Sequence, residues 1–377
     1  MKSQQTQTKI PNKPCILFSG GGTSGHINPA IAIARELQAR RPDIHIIFTG
    51  TAKGMEADIV PRYGFEFLPI TASPFKRKLS WALVKAFFSL YKGRHESLQL
   101  IDDLKPLAVV GTGGYVAGPI LAAAGKRGVP YLIHEQNAFP GQSNRVMAKK
   151  ADTVCISYTE AKPYFERAKK VVLTGNPIDQ AYFELTRSEA RATLGIPEDE
   201  LHILVSGGSL GARTLNQTVI NYLKANPLFP GKVKLVSGKS QFAEVSSAAA
   251  GIPSEQLDVL DYLYDMPLHM AAADIYICRA GAGTCAEVAA LGKPSIMVPY
   301  PYATGDHQTH NAKAFSEIGG ALLCRNEDFT EEKLAELLGQ LDTPEKREAM
   351  AEKASSLAKP RAAADIVDEL MQIIAQR

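Results

Sequence analysis

The 377-residue sequence has no apolar run long enough to span a bilayer. A long uncharged stretch, residues 106–125, carries five glycines and two prolines, which divide it into strand, loop and helix start. Cysteine is scarce: Cys15, Cys155, Cys278, Cys285 and Cys324 form no CxxC pair, and three lie in apolar, strand-like runs. That excludes a disulfide framework or a cysteine zinc site and fits reduced thiols in the cytosol. No HExxH, HxxxH or DxD occurs, so no metal ligands are evident and no cofactor is expected. A GxxxxGK[ST] phosphate loop is absent as well. Lys and Arg outnumber Asp and Glu by 42 to 39, which excludes a nucleic-acid-binding polycation. The first nine residues are polar with no apolar core after them, so no secretory signal is expected.

What is present is alternation. Strand candidates at residues 15–18, 44–49, 107–110, 131–134, 153–157 and 171–173 are separated by helical patterns such as 30–39 and 117–127. Such alternation specifies α/β architecture, with parallel sheets covered by helices and ligands beyond the carboxyl ends of the strands. The second half begins again: residues 203–212 read ILVSGGSLGA, against ILFSGGGTSG at 16–25. Either two doubly wound domains share a design, or two buried strands coincide by chance. The boundary is expected after Gly175, Asn176 and Pro177. Further strands are expected at 202–205, 233–236, 257–260, 274–278 and 295–298, then helices from 331, a break at Pro360 and a final amphipathic helix at 362–375.

The glycine loop at 19–25 joins strand to helix, an arrangement that brings backbone N–H groups up to an anion. It ends at His26, a side chain that titrates near neutral pH. A second loop, Thr112, Gly113, Gly114 and Tyr115, follows another strand and reads as a phosphate site or as a tight turn. His134, Glu135, Gln136 and Asn137 close a third strand; four polar groups there favour a site over a solvated loop. Gly281, Ala282, Gly283 and Thr284 open a helix able to hold a diphosphate, with Glu287 one turn in as a ribose acceptor or a dipole-capping carboxylate. Gly305, Asp306, His307 and Gln308 suit sugar hydroxyls, and Asp306 also suits an N-cap. Residues 75–94 hold six basic residues and no acidic one, including Lys76 and Arg77, interleaved with Phe75, Trp81, Phe87 and Phe88. This segment reads either as an anionic-membrane contact or as a core-facing helix with a basic edge.

The motifs GGGTSGHINPAIAIA, GTGGYVAGP, HEQN, GNP, GGSLGA, RAGAGTCAEVAALGKPSIMVPYP and DHQTHNA occur in that order. Together they resemble the bacterial undecaprenyl-diphospho-muramoylpentapeptide β-N-acetylglucosaminyltransferases, the MurG family within glycosyltransferase family 28. The resemblance implies a GT-B fold, two Rossmann-like doubly wound domains facing across a cleft. These would span 1–178 (acceptor and membrane side) and 179–359 (donor side), with a helix at about 360–377 returning to the first. It implies inverting transfer of GlcNAc from UDP-GlcNAc to the C4 hydroxyl of the MurNAc of lipid I, giving lipid II and UDP, without a metal. By similarity, His26, Tyr115, His134 and Asn137 belong to the acceptor side, and His26, whose unperturbed pKa of about 6.5 suits proton transfer near neutral pH, is the candidate catalytic base. Donor contacts fall to Thr23, Ser24, Gly25, Asn137, Ser209, Ala282, Gly283 and Thr284, with the Leu263 backbone at uracil, Glu287 at the ribose and Gln308 at the GlcNAc hydroxyls. The protein would be peripheral on the cytoplasmic face of the cell membrane, with lipid I and other wall-synthesis proteins as partners and no nucleic acid. Two positions depart from the family: Asp179 follows GNPI where a basic residue is usual, and Leu210 replaces Gln in GGSQGA. Arg213 and Arg279 are candidate substitutes for the missing charge. A GT-B transferase for another lipid, or a non-catalytic nucleotide-sugar-binding protein, are the other readings.

Overall fold

Largely apolar runs such as CILFSG, buried at every position, suit strands covered on both faces. The computed structural model describes residues 13–73, 81–208 and 211–376, with backbone alone at 81–90 and 304. It divides into two units: one holds residues up to 136, 140–177 and 361 onward, the other 137–139 and 178–360.

The N-terminal unit is built on a seven-stranded parallel sheet of β1 (Cys15–Gly20), β2 (His45–Gly50), β3 (Glu66–Pro69), β4 (Ala108–Gly113), β5 (Tyr131–Glu135), β6 (Thr153–Ile156) and β7 (Val171–Leu173). Its order is β3-β2-β1-β4-β5-β6-β7, so the winding reverses between β1 and β4. Helices α1 (Ser24–Arg40), α2 (Met55–Arg62), α3 (Trp81–Leu104), α4 (Gly114–Arg127) and α5 (Gln142–Met147) connect the strands. Because β1 side chains alternate, Ile16 and Phe18 enter one core with Ile27, Ile33 and Leu37 of α1. Leu17 enters the opposite core with Ile120 and Leu121 of α4.

The C-terminal unit repeats the plan. Strands β8 (His202–Ser206), β9 (Lys232–Val236), β10 (Leu257–Leu260), β11 (Ile275–Cys278), β12 (Ser295–Met297) and β13 (Leu322–Leu323) form a six-stranded sheet ordered β10-β9-β8-β11-β12-β13. The reversal lies between β8 and β11, so β8 stands where β1 stands in the first sheet. Helices α6 (Ala181–Glu184), α7 (Arg187–Leu194), α8 (Arg213–Ala225), α9 (Phe242–Ala248), α10 (Met266–Ala272), α11 (Ala282–Leu291), α12 (His307–Ser316), α13 (Glu331–Gly339) and α14 (Pro344–Ser355) belong to this unit. The last helix, α15 (Ala362–Ala375), is grouped with the first unit, where Ile366, Val367 and Leu370 are buried with α1. Lys170, just ahead of β7, donates to Glu369 of α15 at 2.6 Å.

Two readings of the sequence need correction. Helix α1 begins at Ser24, not 30, and α4 at Gly114, not 117. Glycine and proline suggest loop, but Gly25 and Pro29 lie within α1 and Gly114 within α4, and packing on the sheet overrides their weak propensity. His26 is therefore in a helical turn and not in a loop. The short edge strands β3 and β13 have no continuous buried run and were not expected.

A fully buried Arg191 staples α7 to the second sheet. It donates to the carboxylate of Asp274 at 2.6 Å and to the carbonyls of Ala272, Glu198 and Glu200 at 3.0–3.1 Å. Removing one partner of such a pair typically costs about 3–5 kcal/mol. Arg191→Ala is expected to destabilise the C-terminal unit by about that amount in denaturant unfolding; a loss below about 1 kcal/mol would contradict the assignment.

Candidate functional site

At the switch point of the first sheet, the turns after β1 and β4 touch backbone to backbone. A Cβ on Gly114, which has φ +79°, would lie 2.2 Å from the Gly21 carbonyl oxygen, and one on Gly20 would lie 1.8 Å from Thr112 Oγ1. Only glycine allows this approach. Gly21 N–H donates to Gly113 O at 3.4 Å, and the Thr112 hydroxyl donates to the His26 carbonyl at 2.6 Å. The His26 ring lies beside Gly113, where a Cβ would meet its Cδ2 at 2.9 Å. His26 Nδ1 is 3.1 Å from Thr23 Oγ1. When Nδ1–H donates to that hydroxyl, Nε2 carries the lone pair and can accept a proton. Thr23 and Gly25 are exposed, Ser24 and His26 partly so, and Tyr115 is exposed with its ring near Gly22. The structure thus brings Thr23, Ser24, Gly25, His26 and Tyr115 to one patch beyond the strand ends.

The HEQN segment divides by burial. His134, Glu135 and Gln136 are buried. His134 Nε2 donates to Gly175 O at 3.0 Å, and Nδ1 accepts from Gln136 Nε2 at 3.0 Å. That holds the ring as a neutral tautomer, and burial pushes its pKa down to about 4. Gln136 Nε2 also donates to Thr112 O at 2.7 Å. Hydrogen bonds therefore run from Gly175 through His134, Gln136 and Thr112 to the turn that carries His26. His134 is placed behind the patch, not on its surface. Asn137 is partly exposed and grouped with the second unit, where the next residue, Ala138, donates its N–H to Asn311 Oδ1 at 3.3 Å.

In the second unit the switch point lies between β8 and β11. Gly208, with φ +84°, and Gly281, which caps α11, each have nothing within 4 Å of a Cβ position, so these backbones face open space. Gly211 has φ +74°, and a Cβ there would lie 1.9 Å from Ser237 O, so the turn before α8 closes only with glycine. Ala282, Gly283 and Thr284 form the first turn of α11, and its orphan N–H groups point beyond the sheet. Glu287 keeps some exposed surface, but burial of its carboxyl pushes the pKa up to about 7, opposed by a hydrogen bond from Tyr182. The Leu263 side chain is buried in the core, flanked by exposed Tyr262 and Tyr264. Gln308 Oε1 accepts the Tyr300 N–H at 2.9 Å, which sets the plane of its amide.

Asp306 departs from the expected N-cap role. Its φ is +53°, it makes no side-chain cap bond, and its carboxylate accepts the Thr309 hydroxyl at 2.7 Å. Asp179 Oδ1 accepts the Ala181 N–H at 3.0 Å, so its carboxylate serves the start of α6. Arg279 is buried, and its Nη1 donates to the Val298 and Pro299 carbonyls at 2.9 and 3.0 Å. Arg213 is exposed and stands 3.4 Å from Glu244. Ser209, Leu210, Phe75, Lys76 and Arg77 lie outside the described residues, as do the side chains of Trp81, Phe87 and Phe88. Sequence reasoning missed Glu56 and Tyr182: a glutamate in a first helical turn reads as a dipole partner, and AYFE carries no motif.

Among the described residues no group of three or more His, Cys, Asp or Glu is placed to hold a metal ion, and no helix is long and apolar enough to cross a membrane.

Two parallel-sheet units, each with glycine-lined strand ends where its winding reverses, define a protein of two doubly wound α/β domains, and comparison with known proteins is specific. Residues 16–156 match the glycosyltransferase family 28 N-terminal domain, and residues 202–370 match the family 28 C-terminal domain. The chain belongs to glycosyltransferase family 28 and has its GT-B fold. It is 41% identical over 361 residues, 95% of this chain and 98% of the relative, to a UDP-N-acetylglucosamine–N-acetylmuramyl-(pentapeptide) pyrophosphoryl-undecaprenol N-acetylglucosamine transferase of Acetivibrio thermocellus. It is 42% identical, over 95% of its length and 99% of the relative, to the transferase of that name from Alkaliphilus metalliredigens. The crystal structure of Acinetobacter baumannii MurG superposes with a TM-score of 0.76 at 32% identity, covering 96% of this chain and 99% of that one.

The His134 assignment has a pH signature. The unfolded ring takes up a proton near pH 6.5, the folded one only near pH 4. Its neutral form contributes fully above pH 6.5, and that contribution is lost as the pH falls towards 4, a change of about 3 kcal/mol. The unfolding free energy of His134→Asn is expected to fall less than that of the parent over this range, by about that amount. Equal acid sensitivity in the two proteins would refute the buried neutral ring.

Proposed function

We propose that this protein is an inverting N-acetylglucosaminyltransferase that moves GlcNAc from UDP-GlcNAc to the C4 hydroxyl of the MurNAc of lipid I, forming lipid II and UDP. The reading is supported most by one coincidence within a family 28 chain. His26 stands at the switch point of one sheet, and an open helix N-terminus backed by Glu287 stands at that of the other.

In this mechanism the acceptor hydroxyl gives its proton to His26 Nε2 as its oxygen attacks the anomeric carbon. The bond from that carbon to the diphosphate oxygen breaks, and UDP leaves. The Thr23 hydroxyl holds Nδ1 and fixes the tautomer. Negative charge growing on the diphosphate is met by the N–H groups of α11 and of the turn at Gly207 and Gly208, in place of a metal. Glu287, with its pKa near 7, bonds a ribose hydroxyl, the Leu263 backbone reads uracil, and the Gln308 amide reads the GlcNAc hydroxyls. Thr23, Ser24, Gly25, Ser209 and Asn137 complete the donor surroundings, and Tyr115 lies on the acceptor side. The basic, aromatic segment at 75–94 meets the anionic membrane surface, where each Lys or Arg adds about 1 kcal/mol. That makes the protein peripheral, on the cytoplasmic face where UDP-GlcNAc is available.

His26→Ala is expected to lower kcat with a lipid I analogue by about 10²–10⁴-fold while leaving the KM for UDP-GlcNAc within a few-fold. UDP release followed in a coupled assay measures both. Near-normal turnover would remove His26 as the base, and UDP release with another polyprenyl acceptor but not with lipid I would replace the acceptor.

A further inference from the structure

The glycine loop that carries His26 is held by a carboxylate that the mechanism above does not use. Glu56, in the first turn of α2, is 1% exposed. Its Oε2 accepts the Gly22 N–H at 3.1 Å. Its Oε1 accepts the Thr51 N–H at 3.0 Å and the Thr51 hydroxyl at 2.7 Å. One buried side chain thus ties the turn after β1 to the turn after β2. Its partners among the described residues are hydrogen-bond donors of those turns, with no cation among them.

The surroundings are cleared for it. A Cβ on Gly21 would lie 2.6 Å from the Glu56 carboxyl carbon, one on Gly50 2.5 Å from its Cγ, and one on Gly54 2.2 Å from its Oε1. Three glycines from these two turns leave the volume that this carboxylate fills. A side chain that only filled space would not need three donors aimed at its oxygens. Gly22 has φ +82°, and its N–H is turned inward onto Glu56, which sets the angle at which the chain leaves the turn and starts α1. Thr23 and His26 follow within four residues.

We infer that Glu56 is a positioning residue for the transfer reaction: it touches no substrate, and it holds the Gly20–Gly22 turn in the shape that sets Thr23 against the His26 ring and presents that ring to the acceptor. The inference rests on the acceptor-side reading of that turn. Glu56 acts through the N-terminal unit, so the donor contacts of the C-terminal unit at α11, Leu263 and Gln308 do not pass through it.

The test is Glu56→Gln in the full-length enzyme, assayed with UDP-GlcNAc and a lipid I analogue. The amide keeps the shape and can still accept from Thr51, but it sets an N–H against the Gly22 N–H. The expected result is a kcat at least tenfold lower, with the KM for UDP-GlcNAc changed by much less than kcat. Thr51→Val, which removes one of the three donors, is expected to fall between Glu56→Gln and the parent, and it keeps the inference testable should the first variant fold poorly. Parental kcat in both variants would overturn it. His26→Ala belongs in the same series: normal turnover there beside an impaired Glu56→Gln would remove His26 as the base while leaving Glu56 as the residue that shapes the turn.

Discussion

A parallel strand that runs almost directly into a helix leaves backbone amides facing whatever lies beyond the sheet. That is affordable only where the turn is glycine and where something binds those amides. Both sheets make this junction at the point where their winding reverses, after β1 and β4 in the first and after β8 and β11 in the second. The rest of each unit serves to hold those junctions: strands buried on both faces, helices clamped on them, and few ways for the turns to move.

The two junctions have different chemistry. In the first unit the turns pack against each other, through Gly20, Gly21, Gly113 and Gly114, and the space beyond is edged by titratable and hydroxyl side chains. In the second unit Gly208 and Gly281 face open space, and Glu287, beside Gly283 in α11, is held by burial at a pKa of about 7. One side suits taking a proton from a hydroxyl; the other suits receiving a polyanion. Buried polar groups secure both. His134 and Gln136 link Gly175 to the first junction, and Tyr182 braces Glu287 from the start of the second unit.

Much of this was legible in the residues. Continuous apolar runs marked most of the strands, and the repeated ILxSGG marked β1 and β8 as counterparts in two similarly wound sheets. The helix at Ala362–Ala375 was legible from its amphipathic spacing. What failed did so for physical reasons. Gly25, Pro29 and Gly114 read as loop because propensity is local, whereas sheet packing decides. Edge strands β3 and β13 bury too little to leave a pattern. His134 and His26 look alike as letters; only the fold shows one ring with both nitrogens satisfied inside and the other partly exposed at a strand end. Glu56 carries no motif, because its role comes from the Gly21–Gly22 turn, more than thirty residues earlier in the chain, meeting its own β2–α2 turn.

The central claim is that peptide amides, not a cation, hold the nucleotide diphosphate. Isothermal titration of UDP-GlcNAc into the metal-stripped enzyme in a chelating buffer tests it most directly. The account predicts binding at one site per chain with a Kd that changes less than twofold when Mg²⁺ is restored. Binding that appears only with the metal, or no binding in either buffer, would contradict it.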